Sequence, residues 1–198
     1  MNVTEHLPAR AYVAMPMEVT LERLPHVVGE EFDRVASLLA SRGIAPRGAI
    51  IRYVSARSDG HFAIEVGHLV DPADLEGSPI EPDLLPEGTY SIARFTGAYA
   101  HLGEVSRGLM DSWAEAGITP ATARTTTGQD FACWYEHYLD VPIMGPEGPE
   151  GKVEVCVLLE AGAEPTRVSA AMSATGSSAA TACAVPSSRV MSTFASPA

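Results

Sequence analysis

The chain has 198 residues, 46% of them apolar and 19% charged, and a formal net charge of −12 from 25 acidic and 13 basic side chains. That balance is globular and suits one ordinary domain or two small halves sharing a core. It excludes the clustered Lys and Arg on which nucleic-acid affinity rests, and no run of about 18 apolar residues is present to span a bilayer.

The N-terminus lacks the basic, apolar, small-residue order of a signal peptide. Residues 10–22 open with the alternation Tyr12, Ala14, Pro16 and are predicted as an edge-like strand, because proline removes a ladder donor. A helix is predicted from about His26 to Ser41, with Pro25 near its first turn and Gly43 after its end. Its apolar stripe is Val28, Phe32, Val35 and Leu39. Two strands follow, Ala49 to Ala56 and Phe62 to Val70, joined by the turn residues Ser58-Asp59-Gly60. Residues 71–88 carry Pro72, Pro79, Pro82 and Pro86 and read as a linker.

The order then recurs. Tyr90 to Phe95 is predicted as a strand, and Tyr99 to Ala116 as a helix with the stripe Leu102, Val105, Leu109 and Trp113, closed by Gly117. Phe131 to Leu139 and Lys152 to Glu160 are strands, separated by a Gly/Pro-rich loop at 145–151. From residue 162 to 198 the composition is mostly Ala, Ser, Thr, Gly and Pro with no period, which predicts a flexible tail. A shift of 74 positions lays Gly29-Glu30 on Gly103-Glu104 and Gly43-Ile44 on Gly117-Ile118. Ile64-Glu65-Val66 is likewise similar to Val153-Glu154-Val155. The expected fold is α+β, with residues 1–161 built from two β-α-β-β units, about 8–71 and 88–160. Related by a pseudo-twofold axis, their antiparallel sheet would line a central ligand groove, with the helices covering the opposite faces.

The stretch Phe131-Ala-Cys-Trp-Tyr-Glu-His-Tyr-Leu139 carries the chemistry. Strand parity places Trp134, Glu136 and Tyr138 on one face, and Phe131, Cys133, Tyr135, His137 and Leu139 on the other. An acid between two aromatics on its own face suits a pocket wall or an edge strand meeting water. Trp113 ends an apolar stripe, which suits core packing or the groove floor. Tyr53 lies on the corresponding first-half strand and is expected to face that strand across the groove, with Arg52 beside it able to pair with a carboxylate. Glu65 and Glu154 are repeat mates, either solvated or a second acidic rim. The cysteines, Cys133, Cys156 and Cys183, are widely spaced with no CxxC pair, so a reducing cytoplasm is expected. No HExxH, GxSxG, Walker or dinucleotide pattern occurs, and His101 and Glu104, three apart, lack further ligands, so no metal or cofactor is expected.

These residues give the chain a resemblance to the GyrI-like family, the effector-binding domain of many bacterial AraC- and MerR-type transcription regulators. It is carried by the duplicated helix-Gly pattern, Asp111-Ser112-Trp113, Trp134-Tyr135-Glu136-His137-Tyr138 and Val153-Glu154-Val155-Cys156-Val157, over about residues 8–160. Two departures are Asp140-Val141-Pro142 in place of Asp-Pro, and the missing proline near Val157-Leu158. The resemblance implies a groove with a central glutamate, by position Glu136, that takes lipophilic, often cationic, compounds in the manner of multidrug recognition. Trp134, Tyr138, Trp113, Tyr53 and Arg52 are its expected companions. Regulators of this type carry a helix-turn-helix before the module; the first predicted strand starts near residue 10, so a stand-alone module without direct nucleic-acid or membrane binding is expected. Some relatives are hydrolases that open the cyclopropane ring of DNA-alkylating natural products, for which Glu136 and Tyr138 have suitable group types. A protein partner such as gyrase is the third reading.

Overall fold

The computed structural model describes residues 2–160, and the tail predicted at 162–198 lies outside the described residues. The strands are β1 (Asn2–Leu7), β2 (Arg10–Thr20), β3 (Ala49–Arg57), β4 (His61–Leu69) and β5 (Asp83–Leu85), then β6 (Gly88–Ala98), β7 (Thr122–Thr125), β8 (Gly128–Tyr138), β9 (Ile143–Gly145) and β10 (Gly148–Leu158). Helix α1 (Leu24–Ala40) follows β2, and helix α2 (Leu102–Ala116) follows β6 through a 3₁₀ turn at Tyr99–His101.

Both helices end as their glycines predict. Gly117 adopts the left-handed conformation, φ 65°, and its N–H returns to the Trp113 carbonyl. Helix α1 starts two residues before the predicted point and buries Glu31, Val35 and Leu39, while Val28 and Phe32 are half-buried. Val35 and Leu39 pack with Ala11, Val13, Ile44, Val70 and Leu75. Burying a side chain of that size stabilises by roughly 1.5–3 kcal/mol.

All strands join one antiparallel sheet in the order β1-β6-β10-β8-β3-β4-β2-β5, with β7 on β8 and β9 on β10. Only Pro86 and Glu87 separate β5 from β6, yet the two strands stand near opposite ends of that order. The sheet must therefore curl until its ends meet, giving a half-barrel. Residues from both ends accordingly share the inner cluster: Tyr12 and Leu85 from one side, Tyr90 and Ile92 from the other, with Ile50, Cys133, Tyr135 and Cys156 between. Burial pushes the Cys133 thiol up, and the Cys156 thiol to about 12, which suits inert core positions.

The register also relates the two central strands, β3 and β8, which pair with each other. Ile51 and Tyr53 stand opposite Val66 and Ile64 of β4, just as Glu136 and Tyr138 stand opposite Val155 and Val153 of β10. Tyr53 and Tyr138 thus occupy equivalent positions in the two halves, and Glu136 faces its own equivalent, Ile51, across the junction.

The strands β1, β5, β7 and β9 were not predicted. Three of them have three or four residues, too few to show a period, and β5 sits inside the proline-rich stretch read as a linker. A larger correction concerns the helices. They lie on the face that carries Glu136, not on the opposite one: Phe32 of α1 packs against Tyr138, and Trp113 of α2 against Trp134.

Strands β2 and β4 approach closely at Gly67, which pairs with Ala14, and a Cβ there would fall onto the Val13 carbonyl oxygen. Gly67→Ala is expected to cost about 1–3 kcal/mol through this overpacking, read as a lower denaturant midpoint. An unchanged midpoint would mean that β2 can shift away freely.

Candidate functional site

Alternation along β8 puts Trp134, Glu136 and Tyr138 on the helix-bearing face, as strand parity predicts. The other half supplies Tyr53. Its hydroxyl donates to Glu136 Oε1 at 3.1 Å, while the Tyr138 hydroxyl donates to Oε2 at 2.7 Å. Each carboxylate oxygen therefore has one phenol, and the two phenols come from equivalent positions.

Glu136 is only 5% exposed. Burial raises its carboxyl pKa above the usual 4.5, opposed by the hydrogen bonds from Tyr138 and Tyr53. The same burial, together with the nearby Glu136 charge, holds both tyrosine hydroxyls well above their ordinary value, so they remain donors. Among the described residues no Lys, Arg or His forms an ion pair with Glu136. Burying a carboxylate without a cation is costly, and two neutral donors offset only part of that cost.

Aromatic rings pack on the two side chains that flank the acid. Tyr138 is held between Phe32 of α1, with centroids 5.6 Å apart, and Tyr99, at 5.1 Å. Trp134 meets Trp113 at 6.0 Å, Tyr53 at 6.4 Å and Phe131 at 5.2 Å, all edge-on. Trp113 is fixed in turn, since its indole N–H donates to the buried Ser91 hydroxyl at 2.9 Å. It packs in the core and touches Trp134, the neighbour of Glu136 on the same face of β8.

One expected companion, Arg52, lies elsewhere, and one residue expected on the far face, Phe131, reaches the site. Arg52 neighbours Tyr53 on β3, so its side chain is on the other face of the sheet, away from Glu136. There it donates to the Tyr12 hydroxyl at 2.7 Å and to Glu65 at 2.9 Å, and Tyr12 itself donates to Glu65 at 2.6 Å. Phe131, expected opposite Trp134, reaches it because of a bulge. Between the Tyr53–Trp134 and Ser55–Asp130 pairs, β3 takes two steps while β8 takes four, which breaks the alternation.

Phe32, Tyr99, Phe131 and Ser91 are the site's neighbours that sequence reasoning did not single out. The stripe in α1 shows that Phe32 faces the sheet; nothing local shows that it meets Tyr138. The paired acids are also structural: Glu65 holds Arg52, and Glu154 accepts from Arg94 at 2.8 Å. His101 approaches Glu104 at 3.5 Å and Glu147 at 2.9 Å on the surface. Among the described residues, no three His, Cys, Asp or Glu are grouped to hold a metal ion, and no helix is long and apolar enough to cross a membrane.

A buried carboxyl of this kind has two chemical uses. Ionised, it is a negative charge that a cation could pair with, beside aromatic rings of the kind whose faces attract cations. Protonated, it is a proton donor available at a higher pH than an ordinary glutamic acid.

No model of a known protein family matches the chain, and no curated protein matches it in sequence. Solved structures do match in fold. SAV2435, determined bound to tetraphenylphosphonium, is 11% identical, covers 81% of this chain and 94% of its own, and gives a TM-score of 0.51. The C-terminal domain of EcmrR is 15% identical over 81% of this chain and 97% of its own, at 0.52. A hydrolase of Listeria innocua, encoded by lin2189, is 12% identical over 80% and 91%, at 0.50.

Proposed function

We propose that this chain, which has the fold of GyrI-like effector-binding domains, binds lipophilic cations at Glu136. The observation that carries the reading is the buried carboxyl held by Tyr53 and Tyr138 with no protein cation beside it. A ligand cation would complete the missing pair, and the faces of Trp134, Tyr53 and Tyr138 would add roughly 0.5–2 kcal/mol each. Glu136 is buried, so a ligand that pairs with it must displace part of the aromatic packing around Tyr138 and Trp134. Rings and a single acid impose little directional demand, so the site suits several lipophilic cations. That a neighbour of the same fold was solved with tetraphenylphosphonium supports this ligand class. The matched registers around Tyr53 and Tyr138, with the recurring strand-helix-strand-strand order, support an origin by internal duplication. The free, buried Cys133 and Cys156 support a reducing cytoplasm as the setting for such a binder.

A second reading is favoured by the raised carboxyl pKa and the hydrolase of like fold. In it, water adds to a cyclopropane carbon and the strained C–C bond breaks. Its electron pair passes into a conjugated carbonyl, whose oxygen takes the Glu136 proton, and the proton lost by water returns to the carboxylate.

Calorimetric titration with tetraphenylphosphonium tests the first reading: saturable binding at one equivalent is expected, with a thermal shift that grows with ligand concentration. Incubation with a cyclopropane-bearing alkylator separates the two. A ring-opened product that disappears in Glu136→Gln would establish turnover, whereas no product alongside cation binding leaves the binder.

A further inference from the structure

Tyr138 donates the shorter of the two hydrogen bonds to Glu136, and the ring packed on it from α1 is that of Phe32. The sheet register explains how Phe32 comes to lie there. His68 on β4 and Tyr138 on β8 both pair with Ala49 of β3, so the three residues form one row across the sheet on one face. Ala49 has no side chain beyond Cβ and leaves a gap between the two rings. Phe32 enters this gap, 5.8 Å from the His68 ring and 5.6 Å from that of Tyr138.

Its backbone is tied as well. The Phe32 carbonyl, inside α1, can only accept, so His68 Nε2, 3.0 Å away, carries the proton and donates to it. A side chain of the sheet thus grips the helix at the residue whose ring presses on Tyr138.

We propose that His68 is a positioning residue for the Glu136 site: it fixes Phe32, which holds the Tyr138 hydroxyl on the carboxylate. Loss of the imidazole frees the Phe32 segment of α1 and loosens Tyr138. Tyr53 on β3 is then the remaining firm donor, and among the described residues the titratable groups acting on Glu136 are these two tyrosines. Tyr99 touches Tyr138 from the other side and leaves the Phe32 side without support when His68 is removed.

The test is the titration of the Glu136 carboxyl, followed by carbon NMR in the ligand-free protein. In His68→Ala its midpoint is expected to rise by about one unit, the scale of one weakened hydrogen bond to a charged group. His68→Gln, whose amide can donate to the same carbonyl, should restore most of the wild-type midpoint. Added to Tyr138→Phe, His68→Ala should move the midpoint no further. Equal and additive shifts in the two backgrounds, or a fall in thermal stability with an unmoved midpoint, would reduce His68 to ordinary packing. If His68→Ala does not fold, the His68→Asn and His68→Gln pair provides the same comparison. A parallel titration with tetraphenylphosphonium, which rests on the cation-binding reading, should show weaker binding for His68→Ala at a fixed pH near the wild-type midpoint. A wild-type protein that binds no cation yet shows these midpoints would sink that reading and leave the positioning role intact.

Discussion

Glu136→Gln is expected to lose cation binding and to be more stable than the wild type at neutral pH. Both outcomes follow from the same buried charge. Removing one member of a buried, hydrogen-bonded charge pair costs 2–5 kcal/mol in related systems, so affinity should fall by a factor on the order of 30 or more. Without ligand, that carboxylate has no partner cation among the described residues and only two phenols to satisfy it. Its folded pKa is raised above the ordinary 4.5. The folded state therefore holds the proton more tightly than the unfolded chain does, and the contribution of this group to stability is fully present below pH 4.5. It declines as pH rises through the folded pKa, and the loss is complete above it. Each unit of displacement is worth about 1.4 kcal/mol. The amide of glutamine has no such penalty and still accepts a phenol, so the melting-temperature gap between variant and wild type should widen from acid to neutral pH. A variant less stable than the wild type at every pH would show that the ionised acid contributes stability through its tyrosines. One that binds tetraphenylphosphonium unchanged would remove Glu136 from the site.

Affinity for a permanently charged ligand should depend on pH in the opposite sense to stability. Only the ionised carboxyl attracts the cation. Below the ligand-free pKa of Glu136 each pH unit should therefore alter affinity about tenfold, and above it affinity should level off. Tetraphenylphosphonium does not titrate, which leaves the change to the protein. Tyr138→Phe removes the donor that most lowers this pKa, so the midpoint of the affinity curve should move to higher pH. Tyr53→Phe should move it in the same direction and by less, because its hydrogen bond is longer, 3.1 against 2.7 Å. A flat affinity curve across the acidic range would mean that the cation is held by rings alone.

Much of the site was legible because strand parity is a local property. Trp134, Glu136 and Tyr138 share a face in the structure for the reason that they do in the sequence: they are two residues apart in an uninterrupted strand. The same rule, applied to β3, separates Arg52 from Tyr53 and explains why Arg52 serves Tyr12 and Glu65 instead of the site. Phe131 escaped the rule because its bulge depends on the register with β3, which no residue of β8 announces. The placement of the helices was not legible either. An apolar stripe shows that Phe32 and Trp113 face a sheet but not which side of it, and the choice is made by the curl that buries Tyr12, Tyr90 and Tyr135 on the inner face. That curl is signalled by a three-residue strand, β5, within a stretch whose prolines read as a linker. Fold class and element order survive such omissions because they rest on long periodic segments; the closure of the site does not, because it is assembled from single contacts between distant residues.

The central claim is that Glu136 is the counter-charge for a bound cation, and its most direct test is the proton released on binding. Tetraphenylphosphonium can be titrated into the protein by calorimetry, near the pKa of Glu136, in two buffers of different ionisation enthalpy. The predicted result is a fractional proton released per cation bound, approaching one well below that pKa, vanishing well above it, and absent in Glu136→Gln. Binding of the same stoichiometry with no proton released at any pH would contradict the account.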